Sequence, residues 1–208
     1  MLIYRPIANL LLNRIFKFVN VTPNAISFFS LILAVAASCF FAFSSYPIII
    51  IGVILLHLVY TFDMLDGQYA RYKGLSSKFG QWFDPFIDII KAAFIYLALS
   101  YGAYAINGNY MTFVWGIVAL TNSFLSFYIL NTRRLIVDEA TFEVKIKKNI
   151  YVGYEISLYW ALSFFIVINR IYEGLIFMSV LGALSWIKLF VSLRRYYYKN
   201  KTRIEGKI

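Results

Sequence analysis

Apolar residues run along this chain in long blocks rather than at the spacing of a soluble amphipathic helix or a half-buried strand. Six predominantly apolar stretches, at about residues 25–43, 48–72, 79–104, 111–130, 152–168 and 171–193, are separated by short polar connections. A helix rises about 1.5 Å per residue, so crossing the roughly 30 Å hydrocarbon layer takes about 20 such residues. The pattern predicts an all-α integral membrane fold of six transmembrane helices, the fifth of them short.

The segments outside these blocks follow other rules. In residues 5–20, Ile7, Leu10, Leu11, Ile15 and Phe18 recur at helical spacing while Arg14 and Lys17 can reach anionic head groups. This predicts an interfacial amphipathic helix ahead of the first span. Thr22-Pro23-Asn24 then breaks the chain, because proline restricts the residue before it to extended geometry. Residues 131–149 form the one sizeable polar insertion, and Thr141 to Lys147 alternates in polarity as a short strand or an ordered loop would. Residues 194–208 read as a solvated basic continuation of the last helix. Met1 to Pro6 lacks the pattern of a cleavable signal peptide. Residues 1–208 read as a single membrane domain.

Composition and charge sharpen this picture. Hydrophobic residues make up 61% of the 208 and charged residues only 14%, against about a quarter charged in soluble domains. The net charge of +10 suggests a nucleic-acid binder, but the basic residues sit between apolar runs rather than along one soluble face. They order the topology instead. The connections Ser44–Pro47 and Ile106–Asn109 are uncharged, whereas the opposite ones carry Arg71, Lys73 and Lys78, then Arg133, Arg134, Lys145, Lys147 and Lys148. The positive-inside rule places both termini in the cytoplasm, with Arg170 the single exception. Cys39, the only cysteine, lies in an apolar run and reads as a small packing residue.

Four carboxylates interrupt the apolar blocks. Asp63 and Asp66 lie in the second stretch, Asp84 and Asp88 in the third. Ionisable groups at such depth are expensive, so their default reading is a functional site. At about 100° per residue, Asp63, Asp66, Gly67, Ala70 and Gly74 fall on one stripe of the second helix, and Gly80, Asp84 and Asp88 on one stripe of the third. The two helices form a hairpin turning near Leu75–Ser76. Asp63 and Asp88 are equidistant from that turn, and Asp66 and Asp84 nearly so, which places the carboxylates level in pairs about 10–15 Å below the helix ends. Four converging carboxylates would repel one another without cations, and an oxygen-rich site suits Mg²⁺ or Mn²⁺, two ions balancing four charges. Gly67 and Ala70 leave the stripe without bulk, so that a flat ligand can approach the backbone, and Gly80 lets the third helix pack closely beside the second.

The string Asp63-Met-Leu-Asp66-Gly67-Gln-Tyr-Ala70-Arg71, eight residues, Gly80, three residues, Asp84, three residues, Asp88 resembles the complete signature of the CDP-alcohol phosphotransferase (CDP-alcohol phosphatidyltransferase) family. All eight defining positions are present at the family's spacing, and the six stretches with their amphipathic start are similar to the family too. The resemblance implies an enzyme of phospholipid biosynthesis. Asp63, Asp66 and Asp84 would hold the metal, with Asp88 as general base and as a further ligand if there are two ions. Asp66, Gly67, Ala70, Arg71 and Gly80 would bind the donor nucleotide. It further implies a homodimer, and a site open to the cytoplasm and laterally to lipid. The favoured reaction moves a phosphatidyl group from a CDP-diacylglycerol-type donor to a small polar alcohol, such as glycerol phosphate, inositol phosphate, inositol or serine, releasing CMP. The alternative is transfer of a phospho-head-group from a soluble CDP-alcohol to a membrane alcohol. A cation transporter would need polar residues continuing past Lys91, where the chain reads Ala-Ala-Phe-Ile-Tyr-Leu-Ala-Leu.

Outside the signature, Lys91 shares the Asp88 stripe one turn deeper and would balance the carboxylates or line the acceptor pocket. Arg133, Arg134 and Lys188 would converge at the mouth of the cluster and receive a phosphate on the acceptor. His57 stands about 120° off the stripe and reads as a packed or hydrogen-bonded histidine. Tyr60 shares the stripe. Glu155 has no assigned role.

Overall fold

The computed structural model describes residues 4–43, 45–133 and 154–200, and every regular element among them is helical. Helix α1 (Tyr4–Leu11) runs into a π-helical turn (Leu12–Phe16). It is followed by α2 (Pro23–Ala42), α3 (Tyr46–Lys73), α4 (Lys78–Asn107), α5 (Met111–Thr132), α6 (Tyr154–Val167) and α7 (Ile171–Lys199). Five of these, α2, α3, α4, α5 and α7, are long and apolar enough to cross a membrane. The expected fifth stretch is described as α6, whose 14 residues fall short of a full span; residues 152 and 153 lie outside the described chain. So do the alternating segment 141–147 and the end of the basic tail, whose beginning, Arg194–Lys199, continues α7 as expected.

The helix ends follow from local chemistry. Thr22 caps α2 by accepting from the Ala25 amide at 3.3 Å, with Pro23 in the first turn, where no N–H is needed. Gly74, at φ 66°, ends α3 in the left-handed conformation that glycine adopts without penalty. The Leu75 amide then reaches back to the Ala70 carbonyl at 2.8 Å. Three residues later Ser77 caps α4 through the Gly80 amide at 3.0 Å. These two caps make the tight α3–α4 hairpin and set its register.

Helix α2 packs along both α3 and α4, α5 joins α4 to α7, and α6 lies against α7 and α3. Close approach depends on small residues, as it does between membrane helices generally. A Cβ on Gly102 would overlap the Phe41 carbonyl, so α2 and α4 meet backbone to backbone there. Between α5 and α7 the bonding is polar: Asn122 donates to the Ser179 carbonyl at 2.8 Å and accepts from Trp186 Nε1 at 2.9 Å. The core includes Phe41, Ile49, Leu56, Leu99, Leu162, Ile166 and Leu175, all essentially inaccessible. Ile32, Ile54, Leu97, Ile117, Phe164 and Leu184 point outward, as lipid-facing side chains do. Cys39 is also exposed rather than packed between helices; the positions of α2 that meet α3 and α4 are filled by Ala34, Ala37, Ser38 and Phe41.

Helix α1 and the π-helical turn pack on α3, with Tyr4, Ala8 and Leu12 buried. The other face leaves Ile7, Leu10, Ile15 and Phe18 exposed, which are four of the five residues of the expected apolar stripe.

Candidate active site

The α3–α4 hairpin brings the four aspartates together. Carboxylate oxygens of Asp63, Asp66 and Asp84 lie within 4.8 Å of one another. Three hard oxygen donors from two helices at that separation fit a divalent cation such as Mg²⁺ or Mn²⁺. Asp88 is not part of that triplet. It is drawn one turn deeper to Lys91, whose ammonium lies 2.6 Å from its carboxylate and also donates to Asp63. Lys91 is buried, and donates to Ser30 Oγ on α2 at 3.2 Å. The expected levelling of Asp63 with Asp88 is seen as this shared lysine, which pairs with these two carboxylates and also lines the adjoining cavity.

Helix α2 supplies supports that the carboxylate pattern does not reveal. Ser27 donates to Asp66 Oδ2 at 2.6 Å, holding a carboxylate that is only 4% exposed. A charge-assisted hydrogen bond of this kind fixes the orientation of a ligating group. Ser27 and Ser30 are three residues apart on a mainly apolar helix, and that spacing is their one sequence signal. Pro85 sits between Asp84 and Asp88 inside α4. Lacking an N–H, it leaves the carbonyl one turn back without its helical bond.

The glycines separate into two roles. A Cβ on Gly67 would come 3.5 Å from Arg71 Nη1 and 3.7 Å from Nη2, so the glycine is the bare floor beneath the guanidinium. Gly80 differs from expectation. Its nearest neighbours would be Ser77 Oγ at 3.2 Å and Asn24 Oδ1 at 3.6 Å, so it makes room for the α4 cap and the start of α2 rather than for α3. Ala70 is half-buried on the same face of α3 as Gly67.

Beside the carboxylates is a cavity of about 110 Å³. Asp63, Asp88 and Lys91 form one wall; Tyr4, Tyr60 and Tyr159 another; and Tyr96, Ser123, Ser126, Phe127 and Leu130 much of the remainder. His57 backs the tyrosine wall: Tyr4 Oη and His57 Nδ1 are 2.5 Å apart, and the His57 ring lies 4.7 Å from that of Trp160. This is the hydrogen-bonded histidine expected. Burial pushes the Tyr4 phenol up to about 12, so it stays neutral at physiological pH. Tyr60 stacks on Tyr159 with ring centroids 3.4 Å apart. Of the cations expected at the mouth, Arg133 donates to the Leu130 carbonyl and Lys188 is exposed on α7. Neither lines the cavity, and Arg134 lies outside the described residues.

Deep acidic residues from two helices, a basic residue at the hairpin and a cavity alongside form a candidate site within the membrane-spanning helices. The family model for CDP-alcohol phosphatidyltransferase matches residues 20–193, and the chain belongs to that family. It is therefore a CDP-alcohol phosphotransferase, a multi-pass membrane enzyme of phospholipid biosynthesis. Among solved structures it is similar to the phosphatidylinositol phosphate synthase of Mycobacterium tuberculosis with CDP-DAG bound. The TM-score is 0.68 over 93% of this chain and 94% of that one, at 17% identity, a likeness that shows the fold. No curated protein sequence matches.

Proposed function

We propose that the enzyme transfers a phosphatidyl group from CDP-diacylglycerol to a small polar alcohol and releases CMP. The observation that carries this reading is the triplet of Asp63, Asp66 and Asp84 oxygens, with Asp88 beside it at the wall of a cavity. A CDP-linked donor brings two adjacent phosphates, which three clustered carboxylates would repel on their own. Asp63, Asp66 and Asp84 would hold the divalent ions, two of them if Asp88 is a shared ligand. Bound there, such ions neutralise the phosphates and stabilise the leaving oxygen.

The residues of the chain have distinct tasks. Arg71, exposed at the end of α3 and lying over Gly67, clamps a donor phosphate with its planar fork. Gly67 and Ala70 give the cytidine a flat approach to α3, and Gly80 fixes the adjoining cap. Asp88 takes the proton of the acceptor hydroxyl. The acceptor oxygen forms a bond to the phosphorus that carries the lipid, the bond from that phosphorus to the bridging oxygen breaks, and the electron pair leaves on CMP. Lys91 holds Asp63 and Asp88 at a fixed spacing.

The basic connections support a topology with both termini and the mouth of the site on the cytoplasmic side, where CMP and a water-soluble acceptor would exchange freely. The N-terminal face bearing Ile7, Leu10, Ile15 and Phe18 lies in the inner interface. The test uses donor labelled separately in its lipid and cytidine halves. Label from the lipid half in the new phospholipid, with cytidine label in released CMP, is the expected outcome. A new lipid formed from a soluble CDP-alcohol and a membrane alcohol would reverse the roles and refute this donor assignment.

A further inference from the structure

The cavity beside Asp88 bears on the chemistry of the acceptor. Lys91 is the only cation among the described residues that line it. An ammonium has three donors, and those of Lys91 go to Asp63, Asp88 and Ser30. None is left over. A phosphorylated alcohol would bring a phosphate of charge about −1.5 to −2 at neutral pH into a chamber where, among the described residues, no lining cation has a donor to spare for it. The rest of the lining is hydroxyl, aromatic and aliphatic: Tyr4, Tyr60, Tyr96, Tyr159 and Ser123 among apolar side chains.

One lining group points to a ligand directly. Ser126, on α5, is 6% exposed, and its buried hydroxyl has no hydrogen-bonding partner among the described residues. Serines in membrane helices ordinarily return their hydroxyl to a carbonyl one turn back, as Ser123 does to Ala119 at 3.1 Å. A hydroxyl buried without a partner is costly to fold, and a serine that lines a cavity can recover that cost by turning its hydroxyl to donate to or accept from a ligand hydroxyl.

We propose that the acceptor is an alcohol without phosphate, received in this chamber with one hydroxyl on Asp88 and another on Ser126. This rests on the assignment of Asp88 as the base. The experiment uses purified full-length enzyme with CDP-diacylglycerol and Mn²⁺, and measures CMP release with glycerol against glycerol phosphate and inositol against inositol phosphate. The unphosphorylated member of the productive pair should have a kcat/KM at least about tenfold higher, since a buried unpaired charge costs more than that factor. Ser126→Ala should raise the KM of that alcohol several-fold with kcat unchanged, and Ser126→Thr, which restores the hydroxyl, should recover it. A preference for the phosphorylated member, with glutamine at Arg133 or Lys188 raising its KM, would overturn the proposal. CDP binding measured by calorimetry on the same preparation separates the two levels. Intact CDP binding with a phosphorylated preference removes only the acceptor proposal, whereas absent CDP binding removes the donor reading and this one with it.

Discussion

The two walls of the site are built in different ways. The acidic wall comes from one hairpin, α3 and α4, within 26 residues of sequence from Asp63 to Asp88. The rest of the cavity lining adds, to the hairpin's own Tyr60 and Tyr96, residues from three other helices, Tyr4 on α1, Ser126 on α5 and Tyr159 on α6, which are far apart in sequence. The acidic wall carries charge that must be ordered to within a fraction of an ångström for phosphate chemistry, and a tight turn with two caps supplies that order locally. The facing wall has only to select an alcohol, and packing between distant helices is enough. On the proposed function, catalysis and choice of acceptor are separable in this fold, and substitutions on the two walls should have different signatures.

The largest effect should come from removing the charge balance of the acidic wall. Chelation of divalent ions should abolish CMP release, because Asp63, Asp66 and Asp84 would then face the donor phosphates unscreened; turnover in metal-free buffer, with metal analysis confirming removal, checks it. Next is Gly67→Leu, which places bulk where a Cβ is already 3.5 Å from Arg71. Leucine is well tolerated in a membrane helix, so insertion and folding should be normal while CDP affinity falls by about a hundredfold or more, the order expected when a bidentate phosphate contact at about 1.5–3 kcal/mol is lost together with the nucleotide's approach. Normal CDP binding would make the glycine a packing residue only.

A smaller effect is expected one step back from the carboxylates. Ser27→Ala removes the 2.6 Å bond to Asp66 and should lower Mn²⁺ affinity about tenfold, in the range for partners that orient a ligating carboxylate. Titration of Mn²⁺ by electron paramagnetic resonance reads this without turnover. The smallest effect belongs to the facing wall. Tyr4→Phe breaks the contact with His57 but keeps the ring, and should cost about 1 kcal/mol of stability while CDP affinity stays within about twofold. A large loss of CDP affinity would mean that the two walls are coupled rather than separable.

The same division explains what could be read from the chain alone. The spans α2, α3, α4, α5 and α7 were legible because apolar length is a local property, and the approach of the four aspartates because a hairpin turning at Leu75–Ser76 fixes their levels. Lys91 was legible as a neighbour of Asp88 one turn away, but its reach across to Asp63 and Ser30 was not. Ser27 supports Asp66 across 39 residues, and Tyr4 meets His57 across 53. No spacing rule links residues on helices whose packing partners are unknown. Gly80 was placed correctly on its stripe yet assigned the wrong neighbour, since the cap by Ser77 turns it toward Asn24 rather than toward α3. Ser126 is one of many serines in apolar helices; among the described residues, the lack of a partner for its hydroxyl together with its place in the cavity lining, both tertiary facts, distinguishes it.

In the proposed mechanism the acidic wall divides its labour, with Asp84 holding the metal and donor while Asp88 moves a proton. The most direct test measures CDP affinity in Mn²⁺ and the rate of CMP release side by side for Asp84→Asn and Asp88→Asn. Asp88→Asn should keep CDP affinity within a few-fold of the parent enzyme and lose about 10²–10⁴ in kcat, the range for a general base. Asp84→Asn should lose affinity as well as rate. Equal, large losses of CDP affinity in both variants would contradict the account, because Asp88 would then be chiefly a ligand and the proton would have to leave by another group.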